Sequence, residues 1–156
     1  MARQLWLLRH GDAEPHGTRA DSARRLTERG EEQARSAGLA LKALGVQPAH
    51  VYASPRVRAR DTALLACEAL GVAPVEHPPL NGGFDAREAL LLAGSDEDGD
   101  GRVLVVGHEP DFSQVVFDLT GARIDMKKGG IAGVRLDGAR GELIVLLRPR
   151  ELQAMR

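Results

Sequence analysis

The sequence predicts an α/β domain: one three-layer unit with a mostly parallel central sheet and helices on both of its faces. Three observations carry this reading. Two short runs, residues 4–8 and 103–106, are apolar almost throughout, as strands buried on both faces must be. Segments with helical spacing of apolar residues lie between the strand-like runs. The strands end at polar corners marked by glycine or proline rather than at hairpin turns. Such alternation requires crossover connections, and crossovers build parallel sheets. With 156 residues, the chain fits a single domain over 1–156. A chain of that size buries about two-thirds of its unfolded surface and needs no covalent staple.

The elements follow in order. Strand 4–8 runs into Arg9-His10-Gly11, and a long loop extends to Arg25. Thr27 caps a helix whose first turns carry Glu28, Glu31 and Glu32, where the helix dipole favours anions. Ala34, Ala37, Leu41 and Leu44 keep helical spacing, and Gly45 ends the run. Residues 51–53 form a short strand ending at Ser54-Pro55, with a helix over 56–70 closed by Gly71. A weak strand is placed in 72–76, a loop over 77–83 and a helix over 85–93. Residues 95–102 read as an acidic loop. Strand 103–106 ends at Gly107-His108, and Glu109-Pro110-Asp111 opens a helix to about Leu119. Residues 131–136 and 142–147 pair as an antiparallel edge hairpin about Asp137-Gly138.

Composition narrows the function classes. The hydrophobic fraction is 43%, the charged fraction 28% and the net charge −1. That balance argues against a general nucleic-acid binder and against a polybasic membrane protein. The lone cysteine, Cys67, excludes an internal disulfide and reads as a small core residue. The apolar run after Arg3 is too short for a signal peptide, and no run approaches the ~18 residues of a membrane span. The expectation is a cytoplasmic protein without membrane or nucleic-acid partners.

In open α/β sheets, ligands bind beyond the carboxyl ends of the strands. Three strands here end in chemistry: Arg9-His10-Gly11, then Ser54-Pro55 followed by Arg56, Arg58 and Arg60, then Gly107-His108. Two histidines and at least two arginines on one edge suit a phosphoryl group. Guanidinium forks bind phosphate oxygens, a neutral imidazole can attack phosphorus, and a second, protonated imidazole can stabilise the developing charge. The arginines favour a neutral His10. His16, His50 and His77 read as surface residues.

Four segments, in order, resemble the histidine phosphatase superfamily, also called the phosphoglycerate-mutase-like fold. They are Arg9-His10-Gly11 after an apolar strand; Asp21, Arg24, Leu26, Thr27 and Gly30 in a D-x-x-R-x-L-T-x-x-G pattern; residues 54–62 in an S-P-x-x-R-A-x-x-T pattern; and residues 106–111 in a G-H-x-P-D pattern. The short SixA-type phosphohistidine phosphatases are the nearest in pattern. The resemblance implies that His10 is the phosphorylated nucleophile, that Arg9 and Arg58 grip the phosphate, and that His108 contacts the same phosphate. Arg58, rather than Arg56 or Arg60, matches the motif arginine. Asp12 is an accessory candidate, orienting a group or water, or else a loop cap.

Larger members of the family carry a glutamate proton donor beyond the second helix. Here Leu80-Asn81-Gly82-Gly83 offers only an amide and glycines, with Asp85 and Glu109 the remaining candidates, so no evident counterpart stands. Without a donor, an alkoxide leaves poorly, whereas imidazole leaves readily near neutral pH (reference pKa ~6.5). The reading is therefore a phosphatase without cofactor or metal, acting on phosphohistidine in a partner protein such as a histidine-phosphotransfer protein. A small-phosphoester phosphatase and a non-catalytic phosphate-binding module are the alternatives. Residues 96–101 match half a calcium loop, but its twelfth position falls on Gly107, so a solvated acidic turn is expected. Lys127-Lys128-Gly129-Gly130 either borders the cleft, attracting an acidic partner, or is a plain exposed turn.

Overall fold

The computed structural model describes residues 3–94 and 101–156. Six strands form one sheet in the order β3-β2-β4-β1-β5-β6: β1 (Gln4–Arg9), β2 (His50–Ala53), β3 (Val75–Glu76), β4 (Arg102–Gly107), β5 (Ile131–Asp137) and β6 (Arg140–Leu147). The first four are parallel to one another, while β5 runs antiparallel to both β1 and β6. The expected fold class holds, including the antiparallel hairpin at the edge.

Side-chain alternation in the two apolar central strands builds two cores. Leu5, Leu7, Val103 and Val105 face one layer, with Phe112, Val115 and Val116. Trp6, Leu8, Leu104 and Val106 face the other, with Ala37, Leu41, Ala59 and Ala63. Thus α1 (Glu28–Ala43) and α2 (Val57–Leu70) cover one face, and α3 (Ala86–Ala93) and α4 (Asp111–Thr120) cover the opposite one. Cys67 is buried in the α1/α2 layer, where desolvation pushes its thiol up to about 11. It is an inert core residue, as its apolar setting suggested.

Several boundaries differ from expectation. Arg56 is the N-cap of α2 rather than its first residue. A 3-10 turn, Pro78–Asn81, stands inside the expected loop and buries Leu80 against the core. A second 3-10 turn, Asp21–Ala23, interrupts the long loop after β1. A fifth helix, α5 (Pro149–Met155), was not anticipated. It buries Leu152 in the α1/α2 layer, and the Arg148 backbone N–H donates to Glu151 Oε1 at 2.9 Å. Proline at its first position and glutamate at its third were the signal for it. His77 is half-buried, not a free surface residue, with Nε2 2.9 Å from Glu88 Oε1. Asp85 caps α3, accepting from the Glu88 N–H at 2.9 Å, so it supplies no proton donor. The half calcium-loop motif lies outside the described residues, apart from Gly101; Gly107 closes β4.

Strand order puts the functional corners side by side. β4 inserts between β2 and β1, and its register pairs Gly107 with Arg9 and Val106 with Ala53. The His10 N–H donates to Gly107 O at 3.0 Å, and the Ser54 N–H to Val106 O at 3.0 Å. The carboxyl ends of β1, β4 and β2 therefore finish level.

Candidate active site

Two backbone contacts hold the β1 corner. A Cβ on Gly11 would lie 2.5 Å from Gly30 O, and one on Gly30 would lie 2.0 Å from Asp12 O. The glycines of the first and second motifs therefore exist for each other: they let the corner sit directly on the first turn of α1. On the other side, the Gly129 N–H donates to Arg9 O and His10 O at 3.1 and 2.9 Å, with Gly129 in the left-handed region (φ 77°). Residues 127–130 are thereby stitched to the end of β1, so Lys128 borders the cleft and the plain-turn alternative is set aside.

Arg9, His10, Arg58 and His108 come together in one cleft of about 410 Å³, with Arg24, Arg56, Asp21 and Glu109 among its walls. A wider groove of about 990 Å³ at the far end of the sheet, lined by Arg3, Leu90 and the β5–β6 turn, holds no histidine. Convergent chemistry, not volume, marks the site.

The imidazole rings of His10 and His108 stand with centroids 5.3 Å apart, each 6% exposed. His10 Nδ1 lies 2.7 Å from Gly11 O. A carbonyl only accepts, so Nδ1 carries the hydrogen and Nε2 keeps its lone pair. The Gly11 N–H donates to Thr62 Oγ1 at 3.1 Å, and that hydroxyl donates to Arg58 O at 2.7 Å, tying the His10 corner to α2. His108 Nε2 lies 2.7 Å from Ser54 Oγ, which also accepts from the Arg56 N–H at 3.2 Å. The hydroxyl, with one hydrogen to give, can donate it to Nε2, and in that tautomer a neutral His108 turns Nδ1–H to the cleft.

Among the described residues, four buried side-chain polar atoms have no partner, and three are here: Arg9 Nε, Arg58 Nε and His108 Nδ1. Buried donors ordinarily find partners. Three orphaned ones around a histidine lone pair form a site for an oxyanion. The rest of each guanidinium is held in place. Arg9 Nη1 donates to Met126 O at 2.9 Å; Arg58 donates to Asp21 O at 2.8 Å and Oδ2 at 3.3 Å. Asp21 also pairs with Arg24 at 3.0 Å and Arg56 at 3.1 Å, so one carboxylate gathers three arginines. Burial draws both Arg9 and Arg58 below the usual guanidinium value, a cost that a bound dianion would offset.

Desolvation, reinforced by Arg58, Arg9 and Lys128 against the opposing Gly11 hydrogen bond, lowers His10 to about 4. Desolvation, with His10 and the arginines, lowers His108 to about 3. Both rings are neutral at pH 7. Where the sequence suggested a protonated second imidazole, burial and the neighbouring cations favour a neutral His108 in the free enzyme. Between pH 6.5 and about 4 the unfolded chain protonates where native His10 does not, so stability falls as pH falls through that window. The loss from His10 is on the order of 3 kcal/mol. Denaturant unfolding at pH 7 and pH 4.5 should show a smaller loss in H10N than in the wild-type protein; equal losses would contradict it.

The accessory candidates separate. Asp12 does not line the cleft; its Oδ2 accepts from Thr27 Oγ1 at 2.8 Å and its N–H donates to Gln33 Oε1 at 2.8 Å, which is the loop-capping alternative. Glu109 lines the cleft, with its carboxylate accepting from the Ser113 N–H and Oγ. His16 is also in the wall, 85% exposed, 3.8 Å from Asp21. Sequence reasoning gave no role to Asp21, Ser54 or Thr62, although all three stood inside the quoted motifs.

Residues 5–82 match the family model described as histidine phosphatase superfamily, branch 1. The chain belongs to the histidine phosphatase superfamily. An uncharacterized protein of Picosynechococcus is 32% identical over 96% of this chain and 98% of its own length. The protein histidine phosphatase SixA, solved with tungstate, superposes with a TM-score of 0.85 at 29% identity, covering 96% of this chain and 99% of that one. A chain designated phosphohistidine phosphatase SixA, from Nakamurella multipartitia, gives 0.79 at 27% identity over 96% and 97% of the two chains. This histidine phosphatase is thus an enzyme that hydrolyses phosphoesters. Among the described residues, no helix is long and apolar enough to cross a membrane.

Proposed function

We propose that this histidine phosphatase removes phosphoryl groups from phosphohistidine borne by a protein, by way of a phosphorylated His10. The observation that carries this reading is the state of the carboxylates around the cleft. The Arg25 N–H, and after it Arg19, hold Glu14 below the usual carboxylate range. Asp21, although desolvation opposes it, is held low by its arginines. Glu109 is occupied in accepting from Ser113. Glu14 and Asp21 are held as acceptors by their cationic and N–H partners, and the Glu109 carboxylate is turned to Ser113 rather than to a departing alkoxide. An imidazole leaving group asks least of such a site. The likeness to SixA supports the same reading.

In this mechanism the neutral His10 Nε2 attacks phosphorus and the substrate P–N bond breaks, its electron pair staying on the substrate imidazole, which takes a proton from water. Arg9 Nε, Arg58 Nε and His108 Nδ1–H bind the phosphoryl oxygens as negative charge develops. Water then attacks phosphorus of phosphorylated His10, the P–Nε2 bond breaks with its electron pair returning to Nε2, water's proton passes to solvent, and inorganic phosphate leaves. Moving phosphoryl between two imidazoles is near balance, so positioning and charge stabilisation supply most of the catalysis.

A protein carrier suits the mouth of the cleft. α3 packs against β1, β4 and α4 on the sheet face opposite α1 and α2, and so does not cover it. Turnover of a phosphohistidine protein, a phosphoserine peptide and small sugar phosphates tests the proposal. The expected kcat/KM on phosphohistidine exceeds that on the alcohol esters by about 10²-fold or more, the low end of what general acid catalysis contributes. A sugar phosphate turned over faster than the phosphohistidine protein would replace this reading with that of a metabolite phosphatase.

A further inference from the structure

A second groove, of about 490 Å³, adjoins the cleft and shares Arg9 and Lys128 with it. Arg29, Lys127, Arg148 and Arg150 line it, all exposed. They come from three separate parts of the chain: the first turn of α1, the segment sewn to the end of β1, and the corner between β6 and α5. The fold thus assembles a basic shelf that is not visible as a charge run.

The charge on the shelf is not cancelled locally. Lys127 pairs with Asp125 at 2.7 Å, Arg148 and Arg150 share Glu151 at 2.9 and 3.7 Å, and Lys128 reaches only within 3.9 Å of Asp12. The Arg29 side chain has no hydrogen bond or ion pair with a described residue. Five cations, besides Arg9, therefore face three carboxylates, in a chain whose net charge is −1. Concentrating the positive surplus beside the cleft steers and seats an anionic partner.

We infer that this shelf docks an acidic surface of the phosphorylated partner protein, adjacent to the phosphohistidine that enters the cleft. The inference rests on the phosphohistidine-protein reading above. A partner whose phosphoryl group reaches His10 past Lys128 lies over the shelf, because the two depressions share a wall. Arg29 and Arg150 do not line the cleft itself, so a small metabolite confined to it has no need of them.

Binding and turnover judge the two proposals separately. The binding probes are two peptides carrying a non-hydrolysable triazole analogue of phosphohistidine, one with glutamate-rich flanks and one with lysine-rich flanks. The wild-type enzyme should bind the acidic peptide about tenfold or more tightly at low salt, with the preference shrinking as salt screens it. R29E/R150E should abolish the preference while leaving turnover of para-nitrophenyl phosphate unchanged, which also verifies the fold. Equal affinity for the two peptides, or a preference that survives R29E/R150E, overturns the shelf. So does equal competition by an unphosphorylated anionic vesicle or RNA, which would reassign it to general polyanion binding. Failure to turn over genuine phosphohistidine peptides, with para-nitrophenyl phosphate still hydrolysed, overturns the substrate reading instead.

Discussion

H10N is expected to lose kcat by a factor on the order of 10⁴ or more, with no phosphoryl group left on the protein after exposure to a phosphodonor. Asparagine can place an amide N–H where the ring has Nδ1–H and so keep the bond to Gly11 O, so the corner should persist. What it lacks is the Nε2 lone pair that the Nδ1 hydrogen bond leaves exposed. In the wild-type enzyme, quenching in alkali during turnover should trap one acid-labile phosphoryl group on His10. Retention of a tenth of the wild-type kcat by H10N, or an unlabelled wild-type enzyme that still turns over, would mean that water attacks the substrate directly.

R58A should lower kcat/KM by about 10³-fold, which is roughly 4 kcal/mol of transition-state stabilisation. Two effects add. The buried Nε donor and the guanidinium charge leave the phosphate site, and Asp21 keeps only Arg24 and Arg56 as partners. The same substitution removes a cation that holds His10 low. Protonated His10 cannot attack, so the acid limb of the rate profile should move from near pH 4 to a higher pH in R58A. R58K keeps a charge without the planar fork and should recover little of the rate. A loss below tenfold in R58A, or wild-type rates in R58K, would remove Arg58 from the phosphate grip.

Much of the fold was legible because its signals are local. The runs 4–8 and 103–106 are apolar on both faces, and only a central parallel strand needs that. Asp137-Gly138 marked the hairpin, and Thr27 and Gly71 marked helix ends through backbone chemistry within a few residues. α5 went unread because one short helix directly after a strand offers too few turns for periodicity to register. His77 was misplaced because its partner, Glu88, sits on a different element. The four residues that converge in the cleft were each visible at a strand end or helix start, and the family pattern tied them together.

By itself, the sequence determined the elements, the polar corners and the residue types a phosphoryl group requires, since these depend on spacing of 2 and 3.6 residues and on side-chain chemistry. Tertiary structure decided the rest. Inserting β4 between β1 and β2 makes His10 and His108 neighbours across 98 positions of sequence. Burial, a property of the packed whole, lowers the second imidazole's pKa and favours its neutral form. Folding also set Asp21 among three arginines and gathered Arg29, Lys127 and Arg150 beside the cleft. Each of these depends on long-range contacts and on solvent exclusion, which no local pattern encodes.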